Sequence, residues 1–127
     1  MTKYKILIID DDPIIRKAYA TILKAAGYAK VTTAENGKEG LRQAKKLQPD
    51  LIIVDIVMPE VDGIMFLRKF QPESHPETKI IVLSSSATSR NVTEAFRLGV
   101  RHYIVKTDLK PRDVRDVIYG ILEAESF

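Results

Sequence analysis

Three short apolar runs in this chain each stop at a charged residue. Ile6-Leu7-Ile8-Ile9 ends at Asp10 and Asp11, Leu51-Ile52-Ile53-Val54 ends at Asp55, and Tyr103-Ile104-Val105 ends at Lys106. Unbroken β-branched runs of this length read as strands buried on both faces, the pattern of a parallel sheet. In such sheets a ligand binds in the crevice beyond the carboxyl ends of the strands. The sequence therefore predicts that three carboxylates and an ammonium meet at one sheet edge.

Helical patterns separate the strands. Asp12 is placed as an N-cap with Pro13 at the first helical position, and Ile15, Tyr19, Ile22 and Ala26 follow at helical spacing until Gly27 stops the helix. A strand over about 29–33 precedes a helix that runs to Leu47, with Leu41 and Ala44 on its inner side, and Pro49-Asp50 resets the chain into the third strand. The loop Met58-Pro59-Glu60-Val61-Asp62-Gly63 leads into a helix over 64–70, a strand over 79–83 and then Ser84-Ser85-Ser86. A fourth helix, 89–98, closes at Gly99, and Pro111 opens a last helix striped by Val114, Val117, Ile118, Ile121 and Leu122. Five β/α pairs with short connections imply an α/β fold, a parallel sheet with helices on both faces. With 127 residues and 45% apolar content, one domain spanning residues 1–127 is expected.

Composition narrows the chemistry. The absence of cysteine excludes a disulfide framework, a thiolate zinc site and cysteine catalysis, and suits a reducing cytoplasm. Met1-Thr2-Lys3-Tyr4-Lys5 precedes only four apolar residues, too few for the core of a signal peptide. No apolar stretch reaches membrane-spanning length, so a cytoplasmic location without membrane contact is expected. The net charge is +3, yet no basic run exceeds two residues and acids interleave with the bases. Solvated helix surfaces therefore explain the charge better than a nucleic-acid site, and the balance still permits an acidic partner.

Like charges gathered in a partly desolvated crevice raise one another's pKa values. Asp10, Asp11 and Asp55 can all stay ionised only with a cation among them. Hard oxygen ligands with room for water suit Mg²⁺ better than an all-protein calcium cage, and the alternating acids of an EF-hand loop are missing. His75 and His102 lie away from the acidic strand ends, which disfavours zinc. Mg²⁺ beside a carboxylate, a lysine and a hydroxyl is a phosphoryl-transfer arrangement: the metal and Lys106 would neutralise the phosphoryl oxygens while Ser84 donates a hydrogen bond. An aspartate is then the natural nucleophile, and position alone does not choose between Asp11 and Asp55.

The segments Ile8-Ile9-Asp10-Asp11-Asp12-Pro13, Val54-Asp55-Ile56-Val57-Met58-Pro59, Asp62-Gly63, Val82-Leu83-Ser84-Ser85 and Tyr103-Ile104-Val105-Lys106 resemble, in order and over the whole chain, the receiver domain of two-component response regulators. The resemblance implies a flavodoxin-like sheet of strand order 2-1-3-4-5. It makes Asp55 the phosphoacceptor, Asp11 a direct Mg²⁺ ligand, Asp10 a ligand acting mainly through metal-bound water, and the Val57 backbone carbonyl a further ligand. Ser84 matches the switch hydroxyl, Lys106 the phosphate-binding lysine and Tyr103 the aromatic switch residue, although Tyr103 also reads as core packing. The implied donor is a sensor histidine kinase or phosphotransfer protein. The implied output is a downstream protein at the surface of the fourth helix, fifth strand and fifth helix. Such a chain is a signalling domain that assists its own phosphorylation and dephosphorylation, rather than an enzyme.

Two details bear on that resemblance. Thr107 stands where relatives usually have proline after the lysine, and a trans Lys106–Thr107 bond is expected, because a cis bond without proline costs roughly 2.5–4 kcal/mol. Val57, two residues past Asp55, cannot position water, so a long-lived phosphoryl group is expected. Val57 also argues against a Mg²⁺-dependent phosphatase, which would place a general acid there. The presence of Asp55, the acidic pair and Lys106 argues against a phosphorylation-independent module of the same fold.

Overall fold

The structure, a computed structural model, describes residues 2–56, 63–85, 88–106 and 110–123. In chain order the elements are β1 (Thr2–Ile9), α1 (Pro13–Ala25), β2 (Tyr28–Ala34), α2 (Gly37–Leu47), β3 (Leu51–Val54), α3 (Gly63–Phe70), a short 3₁₀ turn (Pro72–Ser74), β4 (Lys79–Ser84), α4 (Ser89–Arg97), β5 (His102–Val105) and α5 (Pro111–Glu123). The strands form one five-stranded sheet in the order β2-β1-β3-β4-β5, with β1–β2, β1–β3, β3–β4 and β4–β5 all paired in parallel. The fold class is that expected from the sequence pattern, and the strand order is that implied by the family resemblance.

Alternation along the central strands divides their side chains between two cores. Leu7, Ile9, Ile52, Val54, Ile80 and Val82 join residues of α2, α3 and α4 on one face. Ile6, Ile8, Leu51, Ile53, Ile81 and Leu83 join residues of α1 and α5 on the other. Burial on both faces is what removes polar residues from these runs, so the first acid in each can appear only where the strand leaves the sheet. Register then brings those exits together. Ile9 pairs with Val54, so Asp10 and Asp55 emerge side by side, and Ser84 pairs with Val105, one residue before Lys106.

Helix ends follow local chemistry. The Asp12 carboxylate accepts from the amides of Ile14 at 2.9 Å and Ile15 at 3.4 Å, capping α1 as expected. Asn36 and Thr88 cap α2 and α4 in the same way. Gly27 and Gly99, the stops expected for α1 and α4, have φ of 102° and 107°, a region that side chains disfavour.

Several boundaries move: β2 runs from Tyr28 to Ala34 rather than over 29–33, and α4 ends at Arg97 rather than at residue 98. β4 extends one residue further than expected to take in Ser84, which is fully buried. α3 starts at Gly63 rather than at residue 64, and β5 starts at His102 rather than at residue 103. The larger difference is that β5 is an edge strand whose four residues are all half-buried, not buried on both faces like β3. Among the described residues, no helix is long and apolar enough to cross a membrane.

Two glycines give opposite expected outcomes. Gly27→Ala places a Cβ in the left-handed region and should lower stability by about 1 kcal/mol. Gly120, in the interior of α5, has open space within 4 Å of where an alanine Cβ would stand, so Gly120→Ala should raise stability by roughly 0.5–1 kcal/mol. Urea unfolding midpoints of the two variants measure both shifts.

Candidate functional site

The carboxyl ends of β1, β3, β4 and β5 deliver Asp10, Asp55, Ser84 and Lys106 to one edge. Backbone bonds carry the sheet up to the acids themselves: the Asp10 amide donates to the Ala34 carbonyl at 3.1 Å, and the Asp55 amide donates to the Ile9 carbonyl at 3.0 Å. Asp10 and Asp55 are therefore held as rigidly as strand residues, and both are buried. Asp11, in the β1–α1 connection, is exposed.

Lys106 closes the arrangement. Its ammonium donates to Asp10 Oδ2 at 2.6 Å and to Asp55 Oδ2 at 3.1 Å, with all three side chains largely withdrawn from solvent. The other Asp10 oxygen, Oδ1, accepts from the Asp12 amide at 2.9 Å. Burial pushes the Asp10 carboxyl above its ordinary value, against the hydrogen bonds from Lys106 and the Asp12 amide, while the Asp55 charge pushes it the same way as burial. Burial pulls the Lys106 ammonium down, but the hydrogen bond and charge of Asp10, and then those of Asp55, outweigh it and leave it above its ordinary value. These directions agree: one ammonium shared between two buried acids keeps its proton, while the acids compete for it.

Ligand oxygens of Asp10, Asp11 and Asp55 all lie within 4.8 Å of one another. Three carboxylates facing one ammonium leave a formal deficit of two positive charges. A donor set of carboxylate oxygens with that deficit fits a hard divalent cation and offers no nitrogen or sulfur to zinc. His75 stacks on Phe70, with ring centroids 4.3 Å apart, and His102 opens β5 at its far end. Neither histidine joins the acids, as the sequence implied.

Residues 6–119 match the profile of the response regulator receiver domain family. The chain belongs to this family. Chemotaxis protein CheY of Thermotoga maritima is 36% identical to this receiver over 102 residues, covering 80% of the chain and 84% of the relative. A solved CheY-like receiver domain protein from Methanospirillum hungatei superposes with a TM-score of 0.89 at 30% identity, over 98% of both chains. A CheX–CheY complex with BeF₃ and Mg²⁺ from Borrelia burgdorferi superposes with a TM-score of 0.82 at 26% identity, over 94% of this chain and 89% of that one. Three longer curated relatives also match, and the chain spans 30%, 44% and 36% of their lengths.

Within this receiver, Tyr103 and Ser84 are hydrogen-bonded through their side chains. Burial pushes the Tyr103 phenol up, while that bond pulls it down and the Asp55 charge adds to the rise. Tyr103 also packs against the core on the α2–α4 face, so core packing and contact with the site hydroxyl are joined in one residue. Asp12 acts as a helix cap, as its sequence position implies. Val57, Met58, Pro59, Asp62, Ser86 and Thr107 lie outside the described residues, and with them the Val57 carbonyl and the Lys106–Thr107 peptide bond.

Two supports of the site carry no strong sequence signal. Arg16 Nη1 donates to the Asp10 carbonyl at 2.6 Å, tying α1 to the end of β1. Gly63 reads from the sequence as shaping the loop after Asp55, and its contact is closer than that. A Cβ at position 63 would lie 2.2 Å from the Asp55 carbonyl oxygen, so α3 starts directly against the backbone of the acid. The Gly63 amide donates to the Ile56 carbonyl at 3.0 Å, fixing that approach.

Removing the ammonium should expose how strained the acids are. Without divalent cations, Lys106→Met leaves Asp10 and Asp55 buried with no counter-charge and should cost about 3 kcal/mol. Urea unfolding in chelator measures the loss. Stability equal to wild type would mean that the ion pairs do not hold the acids in place.

Proposed function

We propose that this receiver accepts a phosphoryl group on Asp55 from a phosphohistidine of a sensor histidine kinase or phosphotransfer protein in the cytoplasm. The observation that carries the reading is the Lys106 ammonium bridging two buried carboxylates at the carboxyl edge, at 2.6 and 3.1 Å. A Lys–Asp pair whose only task was stability would be satisfied by one acid and would not gather a second and third around it.

In the transfer, a carboxylate oxygen of Asp55 bonds to phosphorus as the phosphorus–nitrogen bond to the donor histidine breaks. The electron pair of that bond goes to the imidazole nitrogen. The fixed position of Asp55 at the end of β3 presents the oxygen without reorganisation. Lys106, already held above its ordinary pKa, stays charged to meet a phosphoryl oxygen in place of the carboxylate it now contacts. Asp11 and Asp55, with the Val57 carbonyl and with Asp10 through water, would hold Mg²⁺, which supplies neutralisation of the phosphoryl oxygens. The Mg²⁺ in the Borrelia complex supports this choice of ion.

Ser84, at the end of β4, would donate to a phosphoryl oxygen, and doing so must alter its bond with Tyr103. A phosphoryl group that binds one arrangement of this pair better than the other shifts the population toward it. The change would be presented at the surface of α4, β5 and α5: Tyr103 lies on β5 and packs on the core face that α4 covers, while α5 covers the other face. Phe96 on α4 and Tyr119 on α5, exposed by 43% and 62%, offer a downstream protein two apolar contacts there.

A small phosphodonor such as phosphoramidate, with Mg²⁺, should add a single phosphoryl group to the chain. Peptide mass mapping after borohydride reduction should locate it at Asp55, and Asp55→Asn should remove it. Stable modification of that variant at comparable yield would overturn the assignment.

A further inference from the structure

The α2–α4 layer gathers charge that the sequence scatters. Its three helices carry eight Lys and Arg residues, all exposed, against two acids, Glu39 and Glu94. Both acids are already engaged: Glu39 by Arg42, and Glu94 by Arg68 at 3.0 Å with Arg97 at 3.8 Å. The helices of the opposite layer, α1 and α5, hold five cations against three acids.

The basic layer is also concave. A cleft of about 380 Å³ lies between α3 and α4, lined by Ile64, Met65, Arg68, Arg90, Asn91 and Glu94. A second, of about 340 Å³, continues past Arg68 toward Arg97 and Leu98, with Glu73 as its acid. Arg90, Arg68 and Arg97 thus follow the seam in turn, with apolar side chains between them. Arg90 has no acidic partner among the described residues.

We propose that this seam docks an acidic protein segment bearing apolar side chains. Charge complementarity selects an anionic partner, since the field of the whole layer is positive. Ile64 and Met65, the latter exposed by 38%, add apolar contacts to a mainly polar cleft, and these favour a protein over a phosphate backbone, which has nothing to place there. Arginine forks match carboxylates in two-point geometry, and Glu94 already occupies one of them from within the chain. The seam begins beside the acidic edge, where α3 starts at Gly63 against the Asp55 backbone, and runs away from it toward Arg97 and Leu98.

The probe is a fluorescein-labelled peptide of three Glu-Glu-Leu-Glu repeats, titrated with the full chain at low salt and followed by anisotropy. Saturable binding is expected, with amide shifts in ¹⁵N spectra confined to α3 and α4. Arg90→Glu and Arg97→Glu, both at exposed positions, should each weaken binding by roughly fivefold or more while keeping the wild-type circular dichroism. Arg115→Glu, on α5, should leave affinity within about twofold. Absence of saturable binding, or wild-type affinity in both seam variants, would overturn the proposal. Tighter binding of a short DNA duplex than of the peptide would also overturn it and mark the layer as a nucleic-acid face.

Discussion

Two carboxylates buried side by side repel each other and have lost most of their hydration, and the fold tolerates them because Lys106 reaches both. The ammonium comes from the far end of the chain, on an edge strand separated from β3 by β4. Its contacts with Asp10 and Asp55 therefore exist only when the sheet is assembled in the right order and register. A slip of one residue in any pairing would turn the apolar runs to the wrong face and carry the acids away from the lysine. The same contacts that define the edge record correct assembly.

Compensation by a single ammonium is incomplete, and the function proposed for the site rests on that incompleteness. A site neutralised within the protein would have no affinity for a cation or for a phosphoryl group. Three carboxylates lie close together with one ammonium among them, and burial raises the Asp10 carboxyl despite its contact with Lys106. Rigid supports hold this arrangement: the β1–β2 and β1–β3 ladders run into the acids, Arg16 ties α1 to the Asp10 carbonyl, and Gly63 lets α3 start against the Asp55 backbone. The Ser84–Tyr103 pair connects the edge, by side chains, to the half-buried β5.

Much of this is legible in the sequence because burial on both faces forbids polar residues inside a central strand. The acids following Ile9 and Val54 could only mark strand ends, and the helix cap at Asp12 and the stops at Gly27 and Gly99 follow local rules. What depends on distant parts of the chain is not legible. Tyr103-Ile104-Val105 has the composition of a central strand, yet strand order makes β5 an edge. The need for glycine at position 63 comes from a carbonyl eight residues away, and nothing in the spacing of Arg16 announces its bond to Asp10. Likewise, the basic layer has no counterpart in any basic run, because three separate helices contribute to it.

The central claim is that an under-compensated group of acids at the carboxyl edge is built to take a divalent cation, with the exposed Asp11 bearing directly on it. Calorimetric titration of Mg²⁺ into wild type, Asp10→Asn and Asp11→Asn, with melting temperatures recorded alongside, tests this most directly. Mg²⁺ should bind wild type with 1:1 stoichiometry and raise its melting temperature. Asp11→Asn should weaken binding more than Asp10→Asn does. Equal affinity in wild type and Asp11→Asn, or a melting temperature that Mg²⁺ leaves unchanged, would contradict the account.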